Sequence, residues 1–136
     1  MEYINLPALG NFAAYFGTGL AFLLLFKYIV LAITPYDEWK LIKEEKNVAA
    51  AVALGGSLIG FCIALFGVLK NAVNYYDFAI WALVALTTQI ISIKIVRFIF
   101  MPKFVQRIED NQVGAAVVAA SMYIAVGLLN AGAMTY

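Results

Sequence analysis

The sequence contains no histidine and a single cysteine, and its 136 residues include only nine basic and eight acidic side chains. Each shortage excludes a kind of chemistry. Histidine is the commonest metal ligand and the side chain that titrates nearest neutral pH, so its absence removes the usual zinc sets and the usual general base. The lone thiol, Cys62, can form neither an intrachain disulfide nor a C-x-x-C pair, and within an apolar segment it reads as a packing residue. No glycine-rich phosphate cradle is present. These gaps predict a protein without catalytic, cofactor-binding or metal-binding residues, and therefore not an enzyme.

Charged residues amount to 12% of the chain, about half the ~25% of an ordinary soluble domain. They gather in two short segments of nearly balanced sign, which excludes a nucleic-acid site. Apolar residues fill their place, at 65% of the sequence, with a mean hydropathy of +0.91. Four long uncharged stretches stand out, over 3–26, 47–69, 78–93 (extending to 100 across Lys94 and Arg97) and 111–136. At ~1.5 Å rise per residue, ~20 residues cross a hydrocarbon core of ~30 Å, so each stretch is long enough to be a transmembrane helix. No alternation of apolar and polar residues suggests a β-barrel. The first stretch lacks a basic n-region and is too long for a signal-peptide core, so it reads as the first span. The expectation is an all-α, polytopic protein with four spans and the lipid bilayer as its first partner.

One motif organises the chain and occurs twice. Lys27 is followed by Thr34-Pro35, a charged link over 36–46 and a small-residue segment over 48–57; Lys94 is followed by Pro102, a charged link over 103–110 and a small-residue segment over 113–121. The chain thus reads as one membrane domain made of two repeats, 1–69 and 70–136. Each repeat holds two spans, so the copies share one orientation and the duplication is parallel. Eight of the nine cations lie in or beside the links, Lys70 being the exception. The positive-inside rule puts both links in the cytoplasm and both termini, with the loop over 70–77, outside.

Thr34-Pro35 has the form of a helix start, with Asp37 placed as a capping-box acid. Tyr36, Trp39 and Ile42 then recur at helical spacing, as in a short interfacial helix whose aromatics face the headgroups. Phe104, Val105 and Ile108 form a weaker counterpart. Lys27, Pro35, Trp39, Lys94, Arg97 and Pro102 are the expected interfacial residues, and the links offer a surface to a peripheral cytoplasmic partner. Lys27 and Lys94 stand eight residues before their prolines, roughly 12 Å along a helix. They either snorkel to the interface or line a vestibule for anions or headgroups.

The spans differ in kind. The first (8–33) and third (81–100) are bulky, whereas the second and fourth carry small residues at intervals that let backbones approach: Gly56, Gly60 and Ala64, then Ala116, Ala120, Gly127 and Ala131. These seven are the expected packing positions, against each other or in a homo-oligomer. No Asp or Glu lies within a stretch, which argues against a carboxylate proton relay. Ser57, Gln89, Ser121 and Asn130 remain as polar residues that either line a pore or bond between helices.

The link Pro35-Tyr36-Asp37-Glu38-Trp39-x-Leu41-Ile42-Lys43, the segment from Asn47 through Gly56 and the ending from Gly127 through Thr135 together resemble the YjfL-like family of bacterial inner-membrane proteins. The likeness covers nearly the whole chain. Met101-Pro102-Lys103 departs from Thr34-Pro35-Tyr36, so a role of the first link need not extend to the second. The resemblance implies a four-span plasma-membrane protein of tandem two-helix repeats and supplies no catalytic residue. Relatives encoded beside membrane-stress proteins or peptide-ligase-like enzymes imply an envelope role. Two functions remain open: a self-associating scaffold or partner subunit, and an oligomeric channel or transporter for a small ion or solute.

Overall fold

The computed structural model describes residues 6–34, 38–100 and 103–134, except for the side chains of residues 38, 39 and 100. Pro35, Tyr36, Asp37, Pro102 and the side chain of Trp39 lie outside the described residues. Every regular element among those described is helical. Four helices are long and apolar enough to cross a membrane: α1 (Leu6–Ile33), α3 (Val48–Asn71), α4 (Tyr75–Ile95) and α6 (Val113–Ala133). Two short ones, α2 (Glu38–Lys43) and α5 (Phe104–Glu109), precede α3 and α6.

Local chemistry sets the helix ends. Asn47 is the N-cap of α3, its side chain accepting from the Ala50 amide. Asn74 caps α4 by accepting from Asp77 N, and the Asp77 carboxylate reaches back to Val73 N at 3.0 Å. This reciprocal cap satisfies two donors that a helix start leaves without partners. It also corrects the loop expected over 70–77: Lys70 belongs to the last turn of α3 and Asp77 to the first turn of α4. Each charge complements the helix dipole at its end. The third span starts at Tyr75, six residues before the expected Trp81, because Asn74 supplies a cap. Thr34 closes the end of α1, its hydroxyl donating to Val30 O at 2.6 Å; the forward cap expected of it falls on residues 35–37, outside the described residues.

α3 and α6 form the centre. Asn47 meets Ile108, Gly56 meets Ala120, Gly60 meets Tyr123 and Gly127, and Gly67 meets Ala131. The partners climb together, so the two helices run in the same direction. α4 packs across this pair through Ala82, Ala85, Leu86, Gln89 and Ile93. α1 lies at the periphery, burying only Gly19, Phe26 and Val30 of its 28 residues. Its main anchor is Phe26, whose ring stacks on Phe61 at 4.5 Å. Lipid is as apolar as leucine, so close van der Waals packing and interhelical hydrogen bonds must hold such helices together.

The links also dock. Leu41 of α2 is buried, and Ile42, expected on the apolar face, is half-buried. In α5 the buried pair is Phe104 and Ile108, four residues apart on one helix face, with Val105 half-buried.

Candidate functional site

At the α3–α6 seam the backbones come into contact. A methyl group added to Gly60 would stand 2.8 Å from the carbonyl carbon of Tyr123, and one added to Gly127 would stand 2.8 Å from that of Gly60. Gly56 is closed by Ala120, with a Cβ 2.5 Å from Ala120 Cα, and Gly67 by Ala131. Ala64 and Ala116 are fully buried, Ala120 is buried and Ala131 is half-buried. Gly67 was not singled out from the sequence, although it continues the spacing of Gly56 and Gly60.

Three of the four polar residues singled out in the spans, Ser57, Gln89 and Asn130, are buried. Gln89 is 0% exposed and donates from Nε2 to Tyr123 O at 3.1 Å. Asn130 donates from Nδ2 to Ala85 O at 3.3 Å and lies 3.5 Å from Gln89 Oε1. Ser57 is buried and returns its hydroxyl to Leu54 O. The structure brings Gln89 and Asn130 together and leaves Ser121 apart, on an exposed face, where it donates to Val117 O. Cys62 is exposed, which corrects its reading as packing, and it borders a shallow apolar crevice between α1 and α3.

A second cluster occupies the end of the bundle that carries the links. Beyond Ile95 the helix widens into a π turn, Val96–Phe100, a distortion that often accompanies functional residues. The turn includes Arg97, whose Nε donates to the Tyr123 hydroxyl at 3.2 Å and whose second nitrogen donates to Thr34 Oγ1 at 3.0 Å. Its guanidinium also lies 4.7 Å from the centre of the Phe104 ring. One side chain thereby ties together the ends of α1, α4 and α5 and the middle of α6. Tyr123 was missed from sequence because a tyrosine in an apolar segment gives no sign of having a partner 26 residues away.

Beside Arg97 opens a cavity of about 550 Å³ lined by Ile33, Lys94, Arg97, Phe98, Lys103, Phe104 and Val105. Lys94 is exposed into it, whereas Lys27 is half-buried and lies 5.6 Å from the centre of the Tyr28 ring. Across the links, Asn47 Nδ2 donates to Ile108 O at 2.8 Å, and Asn111 Oδ1 accepts from Ala49 N at 3.0 Å. Asn111 reaches that position in the left-handed region, at φ 57°, which asparagine tolerates better than most residues. Among the described residues no three His, Cys, Asp or Glu side chains gather where they could hold a metal ion.

Four apolar helices, a closed glycine seam and polar side chains bonded inside the bundle define a polytopic helical membrane protein. Residues 3–134 match the family described as Domain of Unknown Function (DUF350), and the chain belongs to it. It is similar to the UPF0719 inner membrane protein YjfL of Escherichia coli K12 and to that of Escherichia coli O157:H7. Each is 36% identical over 131 residues, covering 96% of this chain and 98% of the relative. No solved structure matches. Family membership and the four spans together place the chain among multi-pass inner-membrane proteins.

Proposed function

We propose that this protein is a non-enzymatic scaffold or partner subunit that self-associates in the inner membrane and serves the cell envelope. The observation that carries this proposal is the closure of the polar groups in the spans. Gln89 and Asn130 bond to backbone carbonyls of neighbouring helices and lie in reach of each other, and the buried Ser57 bonds within its own helix. A water path through the protomer would need such groups turned toward it, whereas an interhelical knot needs them turned inward. Self-association is supported by a groove of about 410 Å³ between α4 and α6, bordered by Trp81, Thr88, Ser92, Leu129 and Asn130. It is supported too by the outward row Phe12, Phe16, Leu20 and Leu24 on α1, each 47% exposed or more.

The two halves, 1–69 and 70–136, are two copies of one two-helix unit in parallel orientation; the common direction of α3 and α6 supports this. Both links face the cytoplasm and both termini face outside, on the strength of the cation distribution. The links then offer α2 and α5 to a peripheral cytoplasmic partner.

The groove between α4 and α6 favours one alternative, a channel between subunits, because Thr88, Ser92 and Asn130 border it. Cysteine accessibility tests the choice. A scaffold leaves cysteines at positions 57, 89 and 130 unreactive to a small water-soluble reagent from either side, and proteoliposomes pass no potassium, sodium or chloride. Rapid labelling at two of these positions, or flux abolished by Asn130→Leu in protein that still assembles, overturns it.

A further inference from the structure

From the cavity at the end of α4 we infer a binding site for an anionic phospholipid, with the lipid phosphate held among Lys94, Arg97 and Lys103. Three cations line the cavity, and no acidic side chain among the described residues does. Neither lysine has a hydrogen bond or ion pair among the described residues, so their ammonium groups keep all their donors for a ligand. Arg97 has five N–H donors. One serves Tyr123 and another Thr34, which fixes the guanidinium and leaves three donors. The site therefore combines a rigid planar donor with two mobile point charges, a set suited to phosphate oxygens.

The remaining lining distinguishes a lipid from a free anion. Ile33, Phe98, Phe104 and Val105 make most of the wall apolar. Phe98 and Ile99, on the π turn, are 79% and 68% exposed and extend that apolar surface outward. A soluble phosphate would gain nothing from these groups, whereas the glycerol and first acyl carbons of a phospholipid would lie against them. The volume of about 550 Å³ also falls within the ~300–1,000 Å³ typical of sites for molecules larger than inorganic phosphate. The site stands at the end of a span, where lipid phosphates lie, and basic pockets between spanning helices are a recurrent way of holding anionic headgroups. This inference does not depend on whether the chain self-associates or conducts ions.

Native mass spectrometry of the full chain tests it, with phosphatidylglycerol, phosphatidylcholine and sodium phosphate as probes. Wild-type protein should retain phosphatidylglycerol over phosphatidylcholine by roughly tenfold or more, and millimolar sodium phosphate should not displace it. Lys94→Gln combined with Lys103→Gln removes no side-chain hydrogen bond or ion pair among the described residues and should bring the preference to within about twofold. Lys40→Gln combined with Lys43→Gln, on α2 outside the cavity, should leave it intact. Equal retention of the two lipids by the wild type overturns the site. So does an undiminished preference in the Lys94 and Lys103 variant, or an equal loss in the α2 variant. Displacement by sodium phosphate replaces the lipid with a small anion and overturns the inference as stated.

Discussion

Gln89 of α4 donates a hydrogen bond to the backbone carbonyl of Tyr123 on α6, and the same amide nitrogen stands 3.0 Å from where a Cβ on Gly60 would lie. Three helices therefore meet at one amide. The missing side chain of Gly60 lets α6 approach until the Tyr123 carbonyl faces the seam, and Gln89 satisfies that carbonyl from the third side. Close packing and polar satisfaction are the two sources of cohesion available where lipid removes the hydrophobic one, and here they depend on each other.

Gln89→Leu should destabilise the bundle by about 1 to 2 kcal/mol, since it removes the donor to a buried carbonyl and the neighbour of Asn130. Gln89→Glu, of similar shape, should cost more because it brings a charge into the seam. Thermal unfolding in a mild detergent measures both. Wild-type stability for Gln89→Leu would mean that the carbonyl of Tyr123 needs no partner.

Substitutions among the glycines of α3 should divide sharply. Gly60→Leu and Gly56→Leu drive a side chain into the backbone of α6 and should cost at least the ~1 to 3 kcal/mol of ordinary overpacking. Gly55→Leu, one residue from Gly56, points to open space with no atom within 4 Å of its Cβ position. It should leave stability unchanged or slightly raised, because leucine is the better helix former. Equal damage at all three positions would show that the helix tolerates no bulk there for reasons other than the seam.

The four spans are legible in the sequence because apolar length is a property of consecutive residues. Gly56 and Gly60 stand out for the same reason, their spacing being local. The contacts that join distant segments are not written locally. Nothing near Asn47 announces Ile108, and nothing near Arg97 announces Thr34 or Tyr123, since each partner is brought by the fold from another helix. Cys62 and Ser121 look alike in the sequence as small polar residues in apolar runs. Only the rotation of their helices shows that both face outward. The short loop between α3 and α4 went unseen because Lys70 and Asp77 read as loop charges, although each sits at the helix end where its charge is favourable.

Asn47→Ala removes the cap of α3 and the bond to Ile108 in one step, and it should cost about 1 to 3 kcal/mol. Asn111→Gly, which keeps the left-handed backbone without strain, removes one bond and should cost less. Hydrogen exchange at the amides of Ala49 and Ala50 would locate the damage, and unchanged protection there in both variants would separate the links from the stability of α3.

The orientation proposed from the cation distribution is tested by labelling in whole cells. Cys62 is exposed, so Cys62→Ser must come first to remove the native thiol. Cysteines at Lys43 or Gln106 should then resist an impermeant reagent that reaches one at Asn74. The opposite pattern would invert the chain and place the links outside.

Arg97 gives the sharpest test of how the ends of the helices are joined. Its guanidinium bonds to two hydroxyls from different helices and lies over the ring of Phe104. A lysine ammonium keeps the charge but has neither the planar fork nor the stacking face, so Arg97→Lys is not conservative here. It should lower stability by about 1 to 3 kcal/mol, in the range for hydrogen bonds to a charged group. Tyr123→Phe removes the acceptor at one end of the fork and should cost less. If the two groups act through each other, the double variant will be less damaged than the sum of the single ones, with a coupling of about 0.5 to 1.5 kcal/mol. Thr34→Val, combined with Arg97→Lys in the same way, should give a second coupling of similar sign. Strict additivity in both cycles would mean that Arg97 steadies the π turn alone and does not join α1 to α6.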